Sequence, residues 1–186
     1  LKAIAPARIY AEDDLIKRSI RDVYNRDIDQ ILVDGNEAYK AAKEFMKALI
    51  PSHAKRVQPY KDAIPLFHRY KVEEQIDAMM NPVAKLPSGG SIVINPTEAL
   101  VAIDVNSGKS TRERHIDETA LKTNLEAAEE VARQMRLRDL AGLVVVDFID
   151  MSEQKHIQAV EKRLKEATSR DRARIQLGHI SQFGLL

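Results

Sequence analysis

Two short apolar runs separated by a long amphipathic stretch form the most informative pattern in the chain. The runs Ala99–Ile103 and Leu143–Val146 are rich in valine and isoleucine, which predicts strands buried on both faces of a sheet. Between them, leucine, alanine and methionine recur every three or four residues from Asp117 to Leu140, which predicts one long helix with an apolar stripe. A strand, a crossover helix and a second strand predict that the two strands are parallel.

An aspartate follows each of these apolar runs. Asp104 follows the first run and Asp147 follows the second, with Asn106 two residues beyond Asp104. Because neighbouring parallel strands lie about 4.8 Å apart and end at the same edge of the sheet, the two carboxylates can share one ion. Oxygen-only donors suit Mg²⁺ or Mn²⁺. From spacing alone, strand-end aspartates that act as caps or ion-pair partners remain the alternative.

The first part of the chain predicts a small α/β unit over residues 1–80, which we interpret as a supporting subdomain. Asp13 and Asp14 are caps for a helix that runs to about Tyr24. The remaining predicted elements are the strand Ile31–Val33, the helix Glu37–Leu49 ended by Pro51, a short strand near Val57 and the helix Val72–Met80.

A second unit is predicted over residues 81–186, after the turn-forming residues Asn81-Pro82 and Pro87–Gly90. It begins with a hairpin whose second strand places Glu98, Asp104 and Asn106 on one face by their even spacing. Further along, the pattern predicts a helix capped by Ser152 that ends at about Thr168, and a last strand, Ile175–Leu177. The predicted class is therefore α/β throughout.

Composition narrows the classes of protein without choosing one. The 186 residues are 44% hydrophobic and 31% charged, with a net charge of +1, so any surface for nucleic acid must be local. There is no cysteine, which excludes disulfides and thiolate metal sites within this sequence. No apolar run approaches the roughly 20 residues that span a bilayer, and no signal peptide is visible, so the expected compartment is the cytoplasm.

Two other motifs bear on phosphate chemistry. Residues Gly108 to Thr111 look like the end of a phosphate-binding P-loop, but that motif requires a glycine where Ile103 stands. The alternating Arg170, Arg172 and Arg174 are either a solvated loop or phosphate contacts. The five histidines show no metal-ligand spacing, and no serine or cysteine nucleophile motif is present.

Several long motifs surround the two aspartates and extend into both halves of the chain. In the second half they are Leu86–Ile94, Thr97–Leu100, Ala102–Gly108, Glu118–Ala120, Thr123–Ala128, Arg136–Leu140, Val146–Met151 and Asp171–Gln176, and the first half adds Ile64–Phe67. The motifs of the second half resemble the catalytic core of the ribonuclease E/G family, and Ile64–Phe67 resembles the family's ribonuclease-H-like subdomain. The resemblance implies a ribonuclease-H-like subdomain followed by a deoxyribonuclease-I-like, mixed-sheet subdomain. It also implies a Mg²⁺-dependent endoribonuclease that cuts single-stranded, A/U-rich RNA in rRNA and tRNA processing and mRNA decay.

The resemblance also assigns roles by position. Asp104 and Asp147 match the family's metal ligands, Asn106 matches its polar partner at the scissile phosphate, and Arg174 matches an arginine linked to recognition of the RNA 5′ monophosphate. Glu98 and Arg138 lie in matching motifs without an assigned role.

The same resemblance implies parts that this sequence does not contain. An OB-fold and most of a 5′-end sensor are expected before Leu1, and a zinc-sharing cysteine pair and a helical domain after Leu186. We therefore expect zinc, a homo-oligomer and partners in an RNA-degradation complex only for the full-length protein, and a weakly active monomer for this fragment. The rival interpretations are a non-catalytic RNA-binding or assembly scaffold and a metal phosphoesterase for small substrates.

Overall fold

The computed structural model describes residues 14–108 and 116–186. The chain forms two compact units, Leu1–Glu73 and Glu74–Leu186. Each unit combines helices with a sheet, so the predicted α/β class is confirmed. The boundary expected between residues 80 and 81, and the assignment of the parts to ribonuclease-H-like and deoxyribonuclease-I-like subdomains, stay predictions.

The first unit contains the helices and strands that its sequence pattern predicts. Its helix α1 begins after Asp14, whose side chain accepts a hydrogen bond from the Ile16 amide at 2.8 Å. Strands β1 and β2 pair in parallel, and Ala42, Met46 and Val57 form the centre of the core. The elements are α1 Leu15–Val23, β1 Ile31–Val33, α2 Asn36–Leu49, a 3-10 helix Pro51–Arg56, β2 Val57–Pro59, α3 Leu66–Arg69 and α4 Val72–Ala78, the last crossing into the second unit.

Two short helices of this region were not predicted. The four-residue α3 is too short to show a helical repeat, and the 3-10 helix begins at Pro51, which was expected only to end α2. Helix α4 ends at Ala78, two residues before the predicted Met80, so it is shorter than the pattern indicated.

A four-stranded mixed sheet forms the frame of the second unit. Its strands are β3 Val83–Lys85, β4 Ser91–Pro96, β5 Val101–Asn106 and β6 Val144–Asp147, in that spatial order. Strand β4 is antiparallel to both of its neighbours, β3 and β5, and β5 and β6 are parallel, which confirms the predicted crossover. Strand β3 was not predicted because its three residues lie within the turn-rich segment that we interpreted as the boundary.

Two helices cover one face of this sheet. Helix α5 (Ile116–Leu137) packs on β4 and β5, and helix α6 (Gln154–Thr168) packs on α5. The core they enclose includes Ile92, Ile103 and Val146. Among the described residues, no helix is long and apolar enough to cross a membrane.

Three details of the second unit differ from the sequence-based expectation. Helix α5 stops at Leu137, three residues early, and Asp139 adopts a left-handed backbone with φ of 50°. Ser152 is not the cap of α6, because Glu153 occupies that position and the Ser152 hydroxyl donates to Oδ2 of Asp117 at 2.9 Å. Any cap of α5 itself falls outside the described residues.

The predicted strand Ile175–Leu177 is wrong. These residues belong to no strand, and the outer edge of β6 is occupied by the segment that follows them. The Val146 amide donates to the Leu186 carbonyl at 2.9 Å, and the Leu186 amide donates back to Val146 at 3.0 Å. An apolar pattern cannot by itself say which of two nearby segments pairs with a free edge.

Candidate active site

Asp104 and Asp147 are direct register partners across the parallel β5–β6 pair. In-register neighbours on adjacent parallel strands point to the same face, so the two carboxylates stand side by side, as the sequence predicted. Their environment differs from the prediction, however. The alternate residues Ile103 and Val146 are buried under the helices, whereas both aspartates are exposed. The strands are therefore covered on one face, and the carboxylates stand on the other.

Asn106 belongs to the same strand face, two residues beyond Asp104. Its Nδ2 donates a hydrogen bond to Oδ2 of Asp104 at 2.7 Å. Strand β5 continues to Asn106 rather than ending at the aspartate, so the alternation of the strand sets this contact. Glu98 does not join them, because it lies in the turn between β4 and β5.

Lys85 lies on the same face of the sheet, although no sequence motif selected it. Register pairs Lys85 with Ser91 on β4, and Ser91 with Asn106 on β5. Lys85 is exposed, and two strand spacings, roughly 10 Å, separate its backbone from that of Asn106. The sequence analysis missed Lys85 because its position on this face depends on β3, the strand that was not predicted.

Two glycines allow the turn before β4 to approach the end of β5. A Cβ on Gly90 would lie 2.6 Å from the Asn106 carbonyl oxygen, and one on Gly108 would lie 2.5 Å from that of Gly89. Gly108 also has φ of +61°, which disfavours other residues. This close packing accounts for Gly108 without a phosphate loop. The remainder of the P-loop-like motif, residues 109–111, falls outside the described residues.

Arg174 lies apart from the carboxylate pair. It lines a groove of about 810 Å³ between the second half of α6 and the extended segment that follows that helix. Lys162 and Lys165 line the same groove, and Glu161 anchors its far end by accepting the Ile180 amide at 2.8 Å. Neither aspartate lines this groove. The structure therefore brings Asp104, Asn106 and Asp147 together and leaves Arg174 in a second location.

Arg138, which lay in a matching motif without a role, has a structural one. Its Nε donates to Oε1 of Gln134 at 2.6 Å, and its Nη2 donates to the Asn81 carbonyl at 2.7 Å. These bonds tie the end of α5 to the residues just before β3. Arg170 lines a separate groove between α5 and α6 together with Arg133 and Arg136.

The donor set at Asp104 and Asp147 fits a hard divalent cation of small size. Within residues 14–108 and 116–186, no group of three or more histidine, cysteine, aspartate or glutamate side chains could form a complete metal cage. Mg²⁺ does not need such a cage, because it commonly keeps several waters and binds through one or two carboxylates plus substrate phosphates. Two exposed, adjacent carboxylates with an amide beside them are donors of that kind.

A mixed sheet with helices on one face and paired carboxylates on the other defines an α/β protein with a candidate hard-cation site. The model of the Ribonuclease E/G family matches residues 1–186, so the chain belongs to that family. It is 54% identical to ribonuclease E of Haemophilus influenzae and 51% identical to ribonuclease E of Escherichia coli, each over 98% of this chain. Identity to ribonuclease G of Escherichia coli is 35% over 96%. The chain spans 20%, 17% and 37% of these three relatives.

Proposed function

We propose that this chain carries the catalytic face of a Mg²⁺-dependent endoribonuclease that hydrolyses phosphodiester bonds in single-stranded, A/U-rich RNA. The observation that carries the proposal is the register pairing of Asp104 with Asp147 on the exposed face of the sheet. Family membership supports it, since the relatives compared above are named as ribonucleases. Processing of rRNA and tRNA and decay of mRNA are the cellular roles that we propose for the whole protein.

Each residue of the face has a proposed part in the reaction. Asp104 and Asp147 supply carboxylate oxygens to the cation, and their exposure leaves room for a scissile phosphate above them. Bound Mg²⁺ would lower the pKa of a water molecule and offset charge that develops on the phosphate. Asn106 orients Asp104 through the 2.7 Å hydrogen bond, and its second N–H can donate to a phosphate oxygen.

Two basic groups are proposed to hold the RNA. Lys85, on the same face as the aspartates, neutralises a backbone phosphate next to the scissile one. Arg174, in the groove beside α6, contacts the 5′ monophosphate, for which a guanidinium provides a planar pair of donors. Separate locations for the two contacts fit a substrate that is bound by its end and cut at a distance from it.

The partners of the whole protein are proposals as well. We propose single-stranded RNA as the substrate, with a homo-oligomer, zinc and an RNA-degradation complex as properties of the full-length form. Because the chain has no cysteine, it cannot provide thiolates to zinc, and the chain alone is expected to be monomeric and weakly active.

Asp104→Asn and Asp147→Asn in the full-length protein test the proposal. Each should reduce cleavage of a labelled single-stranded RNA by 100-fold or more with little change in RNA affinity, because a cation at this position stabilises the transition state by several kcal/mol. Asp139→Asn is a matched control, since it removes an exposed carboxylate whose left-handed backbone also suits asparagine.

A second substrate separates the proposed activity from its rivals. A nitrophenyl phosphodiester, assayed with and without Mg²⁺, reports a phosphoesterase for small substrates if it is turned over while RNA is not. RNA binding without cleavage of either substrate indicates a scaffold. Near-normal cleavage by either aspartate variant at ordinary Mg²⁺ would falsify the assignment of the site.

A further inference from the structure

A buried asparagine holds the backbone immediately after the candidate ligand Asp147. Asn124 lies on α5 and is fully buried. Its Nδ2 donates to the Ile149 carbonyl at 2.8 Å, and its Oδ1 accepts from the Ile149 amide at 3.0 Å. One side chain thus satisfies both backbone groups of Ile149, as a neighbouring strand would do, two residues after β6 ends.

The same loop is held from the opposite side by the segment at Gly184. The Phe148 amide donates to the Gly184 carbonyl at 3.1 Å, and the Phe148 side chain is buried in the core. A Cβ on Gly184 would lie only 2.7 Å from the Phe148 carbonyl oxygen, so the two backbones are in close contact. The residues that follow Asp147 therefore have little freedom to shift.

This fixed loop also carries Asp150. The position of a Cβ on Gly184 lies 3.7 Å from Oδ1 of Asp147 and 3.5 Å from Oδ1 of Asp150. Both aspartates are exposed, so the segment at Gly184 lies beside both side chains while Asn124 holds the backbone of Ile149. The direction in which Asp147 and Asp150 point depends on the backbone that Asn124 holds.

We infer that Asn124 is a positioning residue for the cation site. By bonding both backbone groups of Ile149, it fixes the loop that begins directly after Asp147 and so orients that carboxylate. This inference rests on the proposed function, since it takes Asp147 as a ligand. An apolar residue of similar volume could fill the space of Asn124 but would leave the Ile149 amide and carbonyl unsatisfied.

The magnitude of the effect follows from the behaviour of residues that orient metal ligands. Loss of such a partner typically costs about 10- to 100-fold in metal affinity or activity. We therefore expect Asn124→Ala in the full-length protein to raise the Mg²⁺ concentration for half-maximal cleavage, or to lower kcat, by a factor in this range. KM for RNA should change little, because Asn124 is buried away from any substrate.

Hydrogen exchange of the backbone gives a readout that does not depend on activity. In Asn124→Ala, a peptide covering residues 148–151 should exchange at least about 10-fold faster, since the Ile149 amide loses its acceptor. The Val146 amide of β6, which bonds to Leu186, should keep its protection. Gln134→Leu is the matched control, because Gln134 is also buried on α5 but bonds only to Glu130 and Arg138. It should change neither exchange in the loop nor the Mg²⁺ response.

The outcomes separate this inference from the proposed function. Faster loop exchange with an unchanged Mg²⁺ response, or unchanged loop exchange, overturns the positioning role. If Asp104→Asn and Asp147→Asn still cleave RNA, the proposed function fails, and the exchange data alone then decide whether Asn124 holds the loop. Should Asn124→Ala not fold, Asn124→Asp keeps an acceptor for the Ile149 amide but places a carboxylate oxygen, which cannot donate, against the Ile149 carbonyl. It should show the altered Mg²⁺ response and faster loop exchange than the parent protein.

Discussion

The amide of Asn106 donates to Oδ2 of Asp104 at 2.7 Å along one face of β5, a contact between residues two apart in the same strand. It holds one oxygen of Asp104 and leaves the other without a bond to Asn106, on a strand whose register partner at this position is Asp147. A neutral donor is suited to this position because a second carboxylate would repel Asp104 and a cationic side chain would compete with a metal ion.

Replacement of Asn106 should therefore impair the use of Mg²⁺ more than the binding of RNA. We expect Asn106→Ala to lower kcat by about 10- to 100-fold and to raise the Mg²⁺ requirement, measured by Mg²⁺ titration of RNA cleavage in the full-length protein. Asn106→Asp, which keeps the shape but cannot donate, should be impaired at least as strongly in kcat.

Asn95→Ala provides the control for this prediction. Asn95 is exposed on the same face of the sheet, where it is the register partner of Ala102, two residues before Asp104 on β5. It should leave the Mg²⁺ titration unchanged. Equal losses for the variants at positions 95 and 106 would mean that the whole face responds to substitution and that Asn106 has no special role.

The pairing of Asp104 with Asp147 was predictable because it depends on local patterns and one topological rule. Two valine-rich runs predicted the strands, the amphipathic stretch between them predicted the helix, and a crossover of this kind makes the strands parallel. The common position of the aspartates at the ends of their apolar runs then predicted their register. Each step used residues close together in the chain.

Features that depend on the contact of distant segments were not predictable. Lys85 joins the site only through β3, and Asn124 acts through a bond to Ile149, 25 positions away. The exposure of the aspartates also escaped prediction, because an apolar run does not distinguish a strand covered on both faces from one covered on one. The last strand was placed on the wrong segment for a similar reason, since Ile175–Leu177 is as apolar as the residues near Leu186 that pair with β6.

Lys85→Ala should weaken RNA binding by reducing the number of neutralised phosphates. The expected change is a salt-dependence slope, the derivative of log K with respect to log salt concentration, that is smaller by about 0.7, the value for one contact to a single strand. Fluorescence anisotropy of a labelled RNA across a salt series measures this slope. Cleavage at saturating RNA should be nearly unchanged.

Lys122→Ala removes the same charge from α5, on the helical side of the sheet. It should leave the slope as it is. An unchanged salt-dependence slope in Lys85→Ala would show that RNA contacts this face of the sheet through other groups. An equal change of the slope in Lys85→Ala and Lys122→Ala would point to a nonspecific effect of net charge.

Arg174→Ala should reduce the preference for RNA with a 5′ monophosphate. A charge-assisted contact to a terminal phosphate contributes on the order of 1.5–3 kcal/mol, so the ratio of kcat/KM for monophosphorylated over hydroxylated RNA should fall by about 10-fold or more. Arg174→Lys should restore only part of that ratio, since an ammonium group cannot make the planar two-point contact.

Arg170→Ala serves as the matched control for the arginine cluster. Arg170 lines a different groove from Arg174, so its loss should slow both substrates equally or neither. If Arg174→Ala slows both RNA types by the same factor, Arg174 contacts the body of the RNA or supports the fold, and the proposed recognition of the 5′ end is wrong.

A chain of hydrogen bonds in the first unit makes its stability sensitive to acid. Nη1 of Arg56 donates a hydrogen bond to the Tyr24 hydroxyl oxygen at 3.2 Å. The Tyr24 hydroxyl in turn donates its hydrogen to Nδ1 of His53, at 2.7 Å. Desolvation and then the positive charges of Arg56, Arg26 and Lys55 lower the pKa of His53 below its ordinary value of 6.5. Protonation at Nδ1 would also remove the acceptor that Tyr24 uses.

The sign of the pH effect follows from this lowered pKa. At pH values between the folded-state pKa of His53 and 6.5, the unfolded chain binds more protons at His53 than the folded chain does. The contribution of neutral His53 to the free energy of unfolding is therefore complete above pH 6.5 and is lost as pH falls through the folded-state pKa.

Urea unfolding of the first unit tests this, with Phe45→Trp as a fluorescent probe in a chain that lacks tryptophan. From pH 8 to pH 5, the probe-bearing parent should lose more free energy of unfolding than the same chain with His53→Gln. Tyr24→Phe should give an intermediate loss, and His68→Gln, at an exposed histidine of the same unit, should behave like the parent. Parallel pH profiles for the parent and His53→Gln would show that other groups set the acid sensitivity of this unit.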